Sequence, residues 1–115
     1  MPRQKLNPLP SAAFHIMVSL ADEDRHGYDI MRRVEQQTSG RTRLGPGTLY
    51  SSIHALLEAG FIAEAEARTD DDAYGRRRYY RLTASGRRVC RAEAERLADL
   101  LRVARAKKIL RGEYV

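Results

Sequence analysis

The segment from residue 45 to residue 60 carries the side chains best suited to chemistry, and they form a polar set without charge. Its apolar residues recur every three to four positions, which is the period of an α-helix. The opposite side of that helix consists of Thr48, Tyr50, Ser51 and His54, with Ser52 at its edge. Short polar side chains donate and accept hydrogen bonds at base edges in a DNA groove, and a tyrosine hydroxyl reaches phosphate oxygens. On an isolated helix the same residues would form an ordinary solvated face.

Arginines flank this segment on both sides. Arg41 and Arg43 precede it, and Arg76, Arg77 and Arg78 follow it further along the chain. A guanidinium group makes charge-assisted hydrogen bonds to phosphate oxygens. If residues 76–78 open a β-strand, alternation places Arg77 on one face and its two neighbours on the other, so the three cannot contact one phosphate strand together. A run of charge can also be no more than a solvated surface.

The sequence has no pattern typical of a metal site or an enzyme. The three histidines, at positions 15, 26 and 54, are scattered and lack the spacing of zinc ligands, so we expect His26 to begin a helix and His15 to lie at the edge of the core. The aspartates at 70–72 would repel phosphate, and they lack the loop of a calcium-binding EF-hand. Neither a glycine-rich phosphate loop nor a nucleophile with its base stands at motif spacing. We expect no metal, cofactor or catalysis.

Hydrophobic period and turn residues predict the elements that position these side chains. Periodic apolar residues indicate three short helices, of which Gly40 and Gly60 end the second and third. Alternation with a period of two, interrupted by the turn-rich TDDDAYG, indicates a β-hairpin. We therefore predict helices at 11–21, 27–38 and 46–59, a short strand from Arg41 to Leu44, a hairpin at 61–83, and a last helix at 84–110 that Thr83 caps.

This order of elements is that of a winged helix-turn-helix, a mainly α fold with a small β-hairpin. In that arrangement the third helix enters the DNA major groove and the hairpin, or wing, lies beside the backbone. We divide the chain into a DNA-binding head at 1–83 and a C-terminal dimerisation helix at 84–115, which together form one structural unit. At 1.5 Å per residue the last helix would be about 40 Å long.

The last helix carries an apolar stripe that a head of this size cannot cover. The stripe consists of Cys90, Ala94, Leu97, Leu101 and Ala104, which are spaced alternately four and three residues apart. Leu100 and Val103 lie on the adjoining line of the helix surface. We predict a homodimer seam; the alternative is that the stripe packs back on its own head. We expect the single thiol, Cys90, to pack as a small apolar side chain rather than to act as a redox switch.

Length and charge are consistent with one basic domain. The 115 residues are 43% hydrophobic and 31% charged, and 21 Lys and Arg against 15 Asp and Glu give a net charge of +6. Most of that excess lies in residues 84–115, which hold nine basic and four acidic residues, so the total charge supports a DNA partner only loosely. A lone cysteine, and the lack of a signal peptide or of about 20 consecutive apolar residues, predict a cytoplasmic protein.

Three motifs resemble those of the PadR family of bacterial transcriptional regulators, and the likeness runs from about Leu9 to the end of the chain. They are HGYDI at 26–30, LGPGTLYSSIHALLEAGFI at 44–62 and GRRRYYRLTASGRR at 75–88. The resemblance implies a cytoplasmic, dimeric repressor that a small effector releases from double-stranded DNA, and a two-fold dimer would bind an inverted-repeat operator. It favours Arg77 and Arg78 as wing contacts. The short, single C-terminal helix is similar to that of the smaller subgroup of the family. Members of this subgroup dimerise through the last and first helices, and the resemblance therefore adds Phe14 and Val18 to the predicted interface.

Two questions about binding stay open at this point. Multidrug-responsive members of the subgroup stack flat cationic drugs on an aromatic residue of the dimer helix, but this chain has no tryptophan and carries Leu97 at that turn. We therefore expect any effector to bind an aliphatic cavity around Phe14, Val18, Leu97 and Leu101, with weak affinity for planar dyes. The alternative function is a winged-helix module that binds protein and not DNA.

Overall fold

Four α-helices and three short β-strands make up the part of the chain that the computed structural model describes, which is residue 6, residues 8–66 and residues 77–111. The helices and the hairpin follow one another in the predicted order, and the predicted fold class is confirmed. They are α1 (Ser11–Ser19), β1 (Arg25–His26), α2 (Gly27–Gln37), α3 (Pro46–Ala59), β2 (Ile62–Ala65), β3 (Tyr79–Leu82) and α4 (Ala84–Ala106).

The core lies between α1, α2, α3 and the small sheet. Each helix buries residues three or four positions apart, as the hydrophobic period predicts, and burial of each large aliphatic side chain contributes roughly 2 kcal/mol. Because α3 buries its apolar side here, its polar side is left facing solvent. The large apolar side chains that are 2% exposed or less are Ile16, Met17, Leu20, Ile30, Val34, Leu49, Ile53, Leu56 and Ile62.

Both ends of α3 are set by local backbone chemistry. Gly45 is the N-cap in an extended conformation, and Pro46 occupies the first turn, where its missing N–H costs nothing. Gly60 ends the helix in the left-handed region at φ +77°, a conformation that glycine adopts without strain. The N–H of Phe61 then donates to the carbonyl of Leu56 over 3.0 Å. The predicted bounds of this helix are confirmed.

The sheet has the order β1-β3-β2 with antiparallel pairing throughout. Ile62 pairs with Leu82 and Glu64 with Tyr80, so the predicted hairpin is confirmed for these strands. The predicted turn TDDDAYG lies outside the described residues. On its other edge β3 pairs with the two-residue strand β1, where Arg25 is opposite Tyr80.

The predicted strand from Arg41 to Leu44 is wrong. Its backbone donors close the end of α2 instead: the N–H of Arg41 donates to the Thr38 carbonyl, and the N–H of Thr42 donates to Thr38 Oγ1, each over 3.0 Å. These donors are therefore not free to pair with a strand. The third strand of the sheet is β1, which sequence alternation did not reveal because it is only two residues long.

Arg25 is a buried arginine that ties the end of α1 to the start of α2. Its side chain is almost fully buried, and its Nε donates to the Ser19 carbonyl over 2.7 Å. Its Nη1 contacts Asp29 Oδ2 at 3.0 Å, and its Nη2 contacts Asp22 Oδ1 at 3.4 Å. A buried charge persists only when it is paired and hydrogen-bonded in this way. The charged run DEDR at 22–25, which follows the end of α1, therefore supplies a structural anchor.

The start of α4 is clamped to the turn between α3 and β2. The hydroxyl of Thr83 accepts from the N–H of Gly86 over 3.0 Å, as an N-cap, and donates to the Gly60 carbonyl over 2.7 Å. The N–H of Thr83 donates to the Phe61 carbonyl over 3.1 Å. Val89 and Cys90 then pack against the core. The predicted cap is confirmed, and α4 begins in a fixed direction relative to the head.

Candidate nucleic-acid interface

An open cleft of about 280 Å³ lies where the start of α2, the outer side of α3 and the start of β3 meet. Gly27 and Tyr80 are its buried lining residues, while Tyr28 and Tyr50 are exposed by 58% and 48%. Aromatic and cationic groups on one open surface suit a ligand with anionic oxygens. The cleft is lined by His26, Gly27, Tyr28, Tyr50, Arg77, Arg78 and Tyr80.

Gly27 allows α3 to approach the first turn of α2. A Cβ placed on Gly27 would lie 2.7 Å from Tyr50 Oη and 3.2 Å from Tyr50 Cζ, both shorter than ordinary contacts. The tyrosine ring therefore lies directly over a glycine backbone. This contact brings the exposed polar side of α3 and the cleft into one continuous surface.

His26 begins α2, as predicted, and also lies at the rim of the cleft. Its Nδ1 accepts a hydrogen bond from the N–H of Asp29 over 3.2 Å, which makes the imidazole the N-cap of the helix. The ring packs edge-on against Tyr79, with centroids 5.3 Å apart. On the cleft side, Nε2 lies 3.3 Å from Arg77 Nη1. Sequence reasoning did not count His26 as a site residue, although HGYDI was among the quoted motifs.

Arg77 and Arg78 line the same cleft, so the prediction that alternation would place them on opposite faces is wrong. The reason is that β3 begins only at Tyr79, and both arginines precede the strand. Arg78 Nη1 makes an ion pair of 3.2 Å with Glu64, and both side chains are largely exposed. Such a surface pair contributes about 1 kcal/mol or less, so a phosphate could replace the carboxylate. Arg76 lies outside the described residues.

The outer side of α3 holds the polar residues that the sequence places there. Thr48, Tyr50, Ser51 and His54 are all exposed, and Ser51 Oγ donates to the Thr48 carbonyl over 3.3 Å. Ser52 does not lie at the edge of this face, because its side chain is fully buried. Within the described chain, its hydroxyl has no hydrogen-bond partner.

Arg41 and Arg43 are exposed in the loop before α3 and are not part of the cleft. Arg43 Nε contacts Glu35 Oε1 at 2.9 Å, an exposed ion pair at the end of α2. The two arginines therefore add exposed basic side chains just before the N-terminal end of the polar face. They are brought near it by chain connectivity, since Gly45 and Pro46 follow at once.

Apolar side chains protrude from the second half of α4. Leu100, Leu101 and Val103 are 56%, 42% and 49% exposed, and Val18 of α1 is 37% exposed. Ala94 is exposed as well, while Phe14, Leu97 and Ala104 are half-buried. Ion pairs between residues one turn apart flank the apolar side. In one of them Arg96 Nη2 lies 2.7 Å from Glu93 Oε2. This pairing lowers the pKa of the Glu93 carboxyl.

Cys90 is half-buried against the core of its own head. Burial raises the pKa of its thiol, and the opposing effect of Arg87 is smaller. The thiolate is the reactive form, so this environment favours a packing role over a redox role. Among the residues that the structure describes, no group of three His, Cys, Asp or Glu side chains could hold a metal ion. None of the described helices is long and apolar enough to cross a membrane.

Comparison with known proteins gives one family. Residues 16–92 match the family described as the transcriptional regulator PadR-like family. A transcriptional regulator of Mycobacterium tuberculosis is 31% identical over 88 residues, covering 76% of this chain and 77% of that protein. An uncharacterised 37.1 kDa protein from a Streptomyces fradiae transposon is 36% identical over 85 residues, which are 74% of this chain. The chain spans only 22% of the length of the Streptomyces protein.

Solved structures have the same fold. A PadR family transcription regulator from Clostridium difficile R20291 superposes with a TM-score of 0.71 at 21% identity, covering 84% of this chain and 97% of that one. A transcriptional regulator from Clostridium thermocellum superposes with a TM-score of 0.69 at 24% identity, covering 83% and 87% of the two chains. At these identities the likeness concerns the fold alone.

Proposed function

The chain belongs to the PadR-like family of transcriptional regulators, and from this membership we propose that it is a sequence-specific DNA-binding regulator that acts as a homodimeric repressor. One observation carries the DNA-binding part of the proposal. The uncharged polar side of α3 continues, through Tyr50, into a cleft lined by Arg77 and Arg78. A surface of this kind offers base-edge contacts and phosphate contacts side by side.

In the proposed complex α3 lies in the major groove. Thr48, Ser51 and His54 have side chains short enough to contact base edges. Tyr50 and the arginines contact backbone phosphates: Arg77 and Arg78 from the wing, and Arg41 and Arg43 from the loop before α3. The ion pairs of Arg43 and Arg78 are exposed, so exchanging a carboxylate for a phosphate costs little.

The dimer is proposed from the exposed apolar side of α4 and from family membership. Leu100, Leu101 and Val103 are about half exposed, so complete burial would contribute roughly 1 kcal/mol for each side chain. With Leu97 and the same residues of a second copy, the total is on the order of 8 kcal/mol, which exceeds the lower estimates of the cost of association. A two-fold axis then places two copies of α3 about 34 Å apart, one turn of DNA, which requires an inverted-repeat site.

The DNA contacts are tested by comparing two kinds of variant in fluorescence anisotropy titrations over a range of salt concentrations. Arg77→Ala and Arg78→Ala are expected to weaken binding to every sequence and to lower the slope of log K against log salt by about 0.9 for each phosphate that is no longer neutralised. Ser51→Ala and His54→Ala are expected to relax base preference by about 1–3 kcal/mol with an unchanged slope.

Arg102→Ala is the matched control, because Arg102 is an exposed, ion-paired arginine on α4. Its removal is expected to leave the slope unchanged. If Arg77→Ala and Arg78→Ala kept the wild-type slope of log K against log salt, the wing would not be part of the DNA interface. A wild-type protein that does not retard its own promoter fragment against excess non-specific DNA would favour a protein-binding winged-helix module instead.

Release by a small effector is a further part of the proposal and rests on the family resemblance. Phe14 and Val18 on α1 and Leu97 and Leu101 on α4 would line an aliphatic cavity at the dimer contact, and a ligand there would change the spacing of the two α3 helices. Because the chain has no tryptophan, titration with a planar bisbenzimide dye is expected to give little saturable fluorescence change. Sub-micromolar dye binding that survives Leu97→Ala and leaves the dimer intact would contradict this cavity.

A further inference from the structure

Arg32 is an exposed basic side chain of α2 that lies beside the cleft. Its Cζ is 5.8 Å from the centre of the Tyr28 ring, and Tyr28 is itself a lining residue of the cleft. A guanidinium group is attracted to the face of an aromatic ring, and this contact favours the observed position of the side chain. The structure therefore places a cation one helical turn further along α2 from the cleft.

Arg32 lies between the two groups of arginines that the proposed function assigns to phosphate. Residues at i, i+4 and i+7 share one side of a helix, so Tyr28, Arg32 and Glu35 form a row along α2. The row begins at the cleft, which the wing arginines also line. It ends at Glu35, whose carboxylate contacts Arg43 Nε at 2.9 Å. The basic surface of the wing therefore continues along α2 to the loop before α3.

The next residue, Arg33, has the same charge and is also exposed, but it points in another direction. Consecutive residues of an α-helix are about 100° apart around its axis. Arg33 follows Asp29 by four residues, so it lies on the side of α2 where the Asp29 carboxylate holds Arg25. Within the described residues, the ion pairs include neither Arg32 nor Arg33. The two arginines therefore differ in direction and not in charge or exposure.

We propose that Arg32 contacts a backbone phosphate of the bound DNA, which extends the interface from α3 and the wing to α2. This inference rests on the proposed function and adds one phosphate contact to it. In the helix-turn-helix motif the first helix crosses the backbone while the second lies in the major groove, and here these helices are α2 and α3. Because phosphates follow one another along each strand, a cation between two phosphate-binding groups has a phosphate within reach, and a guanidinium binds its oxygens by charge-assisted hydrogen bonds.

Salt titrations of Arg32→Ala and Arg33→Ala test this contact, because the two variants lose the same charge from neighbouring exposed positions. We expect Arg32→Ala to bind every sequence about tenfold more weakly and to lower the slope of log K against log salt by about 0.9. Arg33→Ala is expected to keep the wild-type affinity and slope. Arg32→Lys should keep the slope, since lysine keeps the charge. Thermal unfolding should be close to that of the wild type for all three, because both positions are exposed.

Replacement of single phosphates in the bound site by neutral methylphosphonates is a second measurement. One replacement is expected to weaken binding of the wild type about tenfold but binding of Arg32→Ala less than threefold, because the partner of that phosphate is already absent. Equal slopes for Arg32→Ala and Arg33→Ala, or the lack of a phosphate with this behaviour, would overturn the inference and leave the proposed function standing. A wild-type protein that binds no DNA would overturn both.

Discussion

Gly86→Ala is expected to lower the free energy of unfolding by about 2 kcal/mol or more, although alanine is the better helix former. A Cβ at this position would lie 1.9 Å from the Phe61 carbonyl oxygen and 2.8 Å from its carbon. Both are backbone atoms of the turn between α3 and β2, so they cannot rotate away as a side chain would. The same carbonyl accepts from the N–H of Thr83. Displacement of α4 would therefore also strain its cap.

Thermal unfolding at one fixed protein concentration measures this effect, since dimerisation makes the midpoint depend on concentration. For a domain of this size we expect the midpoint to fall by roughly 10 °C. Gly47→Ala is the matched control, because a Cβ at Gly47 in α3 would meet nothing within 4 Å. It is expected to be neutral or to stabilise by up to about 1 kcal/mol. Equal midpoints for the two variants would show that α4 tolerates a side chain at the clamp.

Leu101→Asp is expected to convert the proposed dimer to a monomer. Leu101 is 42% exposed in the single chain and lies in the middle of the predicted seam. An aspartate there would have to be buried unpaired in the dimer, at a cost of several kcal/mol. Light scattering after size-exclusion chromatography should give about twice 13.1 kDa for the wild type and about 13.1 kDa for the variant.

Loss of the dimer in Leu101→Asp should also weaken binding to the operator. Two linked α3 helices bind far more tightly than one, and avidity typically gives a gain of about 10² to 10⁴ in affinity, so the variant should lose on the order of 10² or more at an inverted repeat. Ala106→Asp introduces the same side chain at an exposed position of α4 on the opposite side from the stripe, and it should leave the mass and the affinity unchanged. A wild-type mass near one chain would refute the seam.

The sequence by itself determined the helices, the hairpin and the family. The start of α3 at Gly45-Pro46 and its end at Gly60 depend on backbone preferences of those residues, which act over one or two turns. The exposed side of α3 follows from the 3.6-residue period of its apolar residues. These features are local, so neighbouring residues are enough to specify them.

Only the tertiary structure decided which residues from different elements meet. The strand β1 escapes sequence patterns because two residues have no period, and its partner β3 lies more than 50 residues away. Ser52 is buried with the apolar side of α3, three residues after Leu49 and four before Leu56, so the helical period places it there and only its polar side chain disguises it. Tyr50 meets Gly27, and His26 meets Arg77, only after the head has packed. Contacts of this kind depend on the packing of distant segments, whereas periodicity and turn chemistry carry information about near neighbours alone.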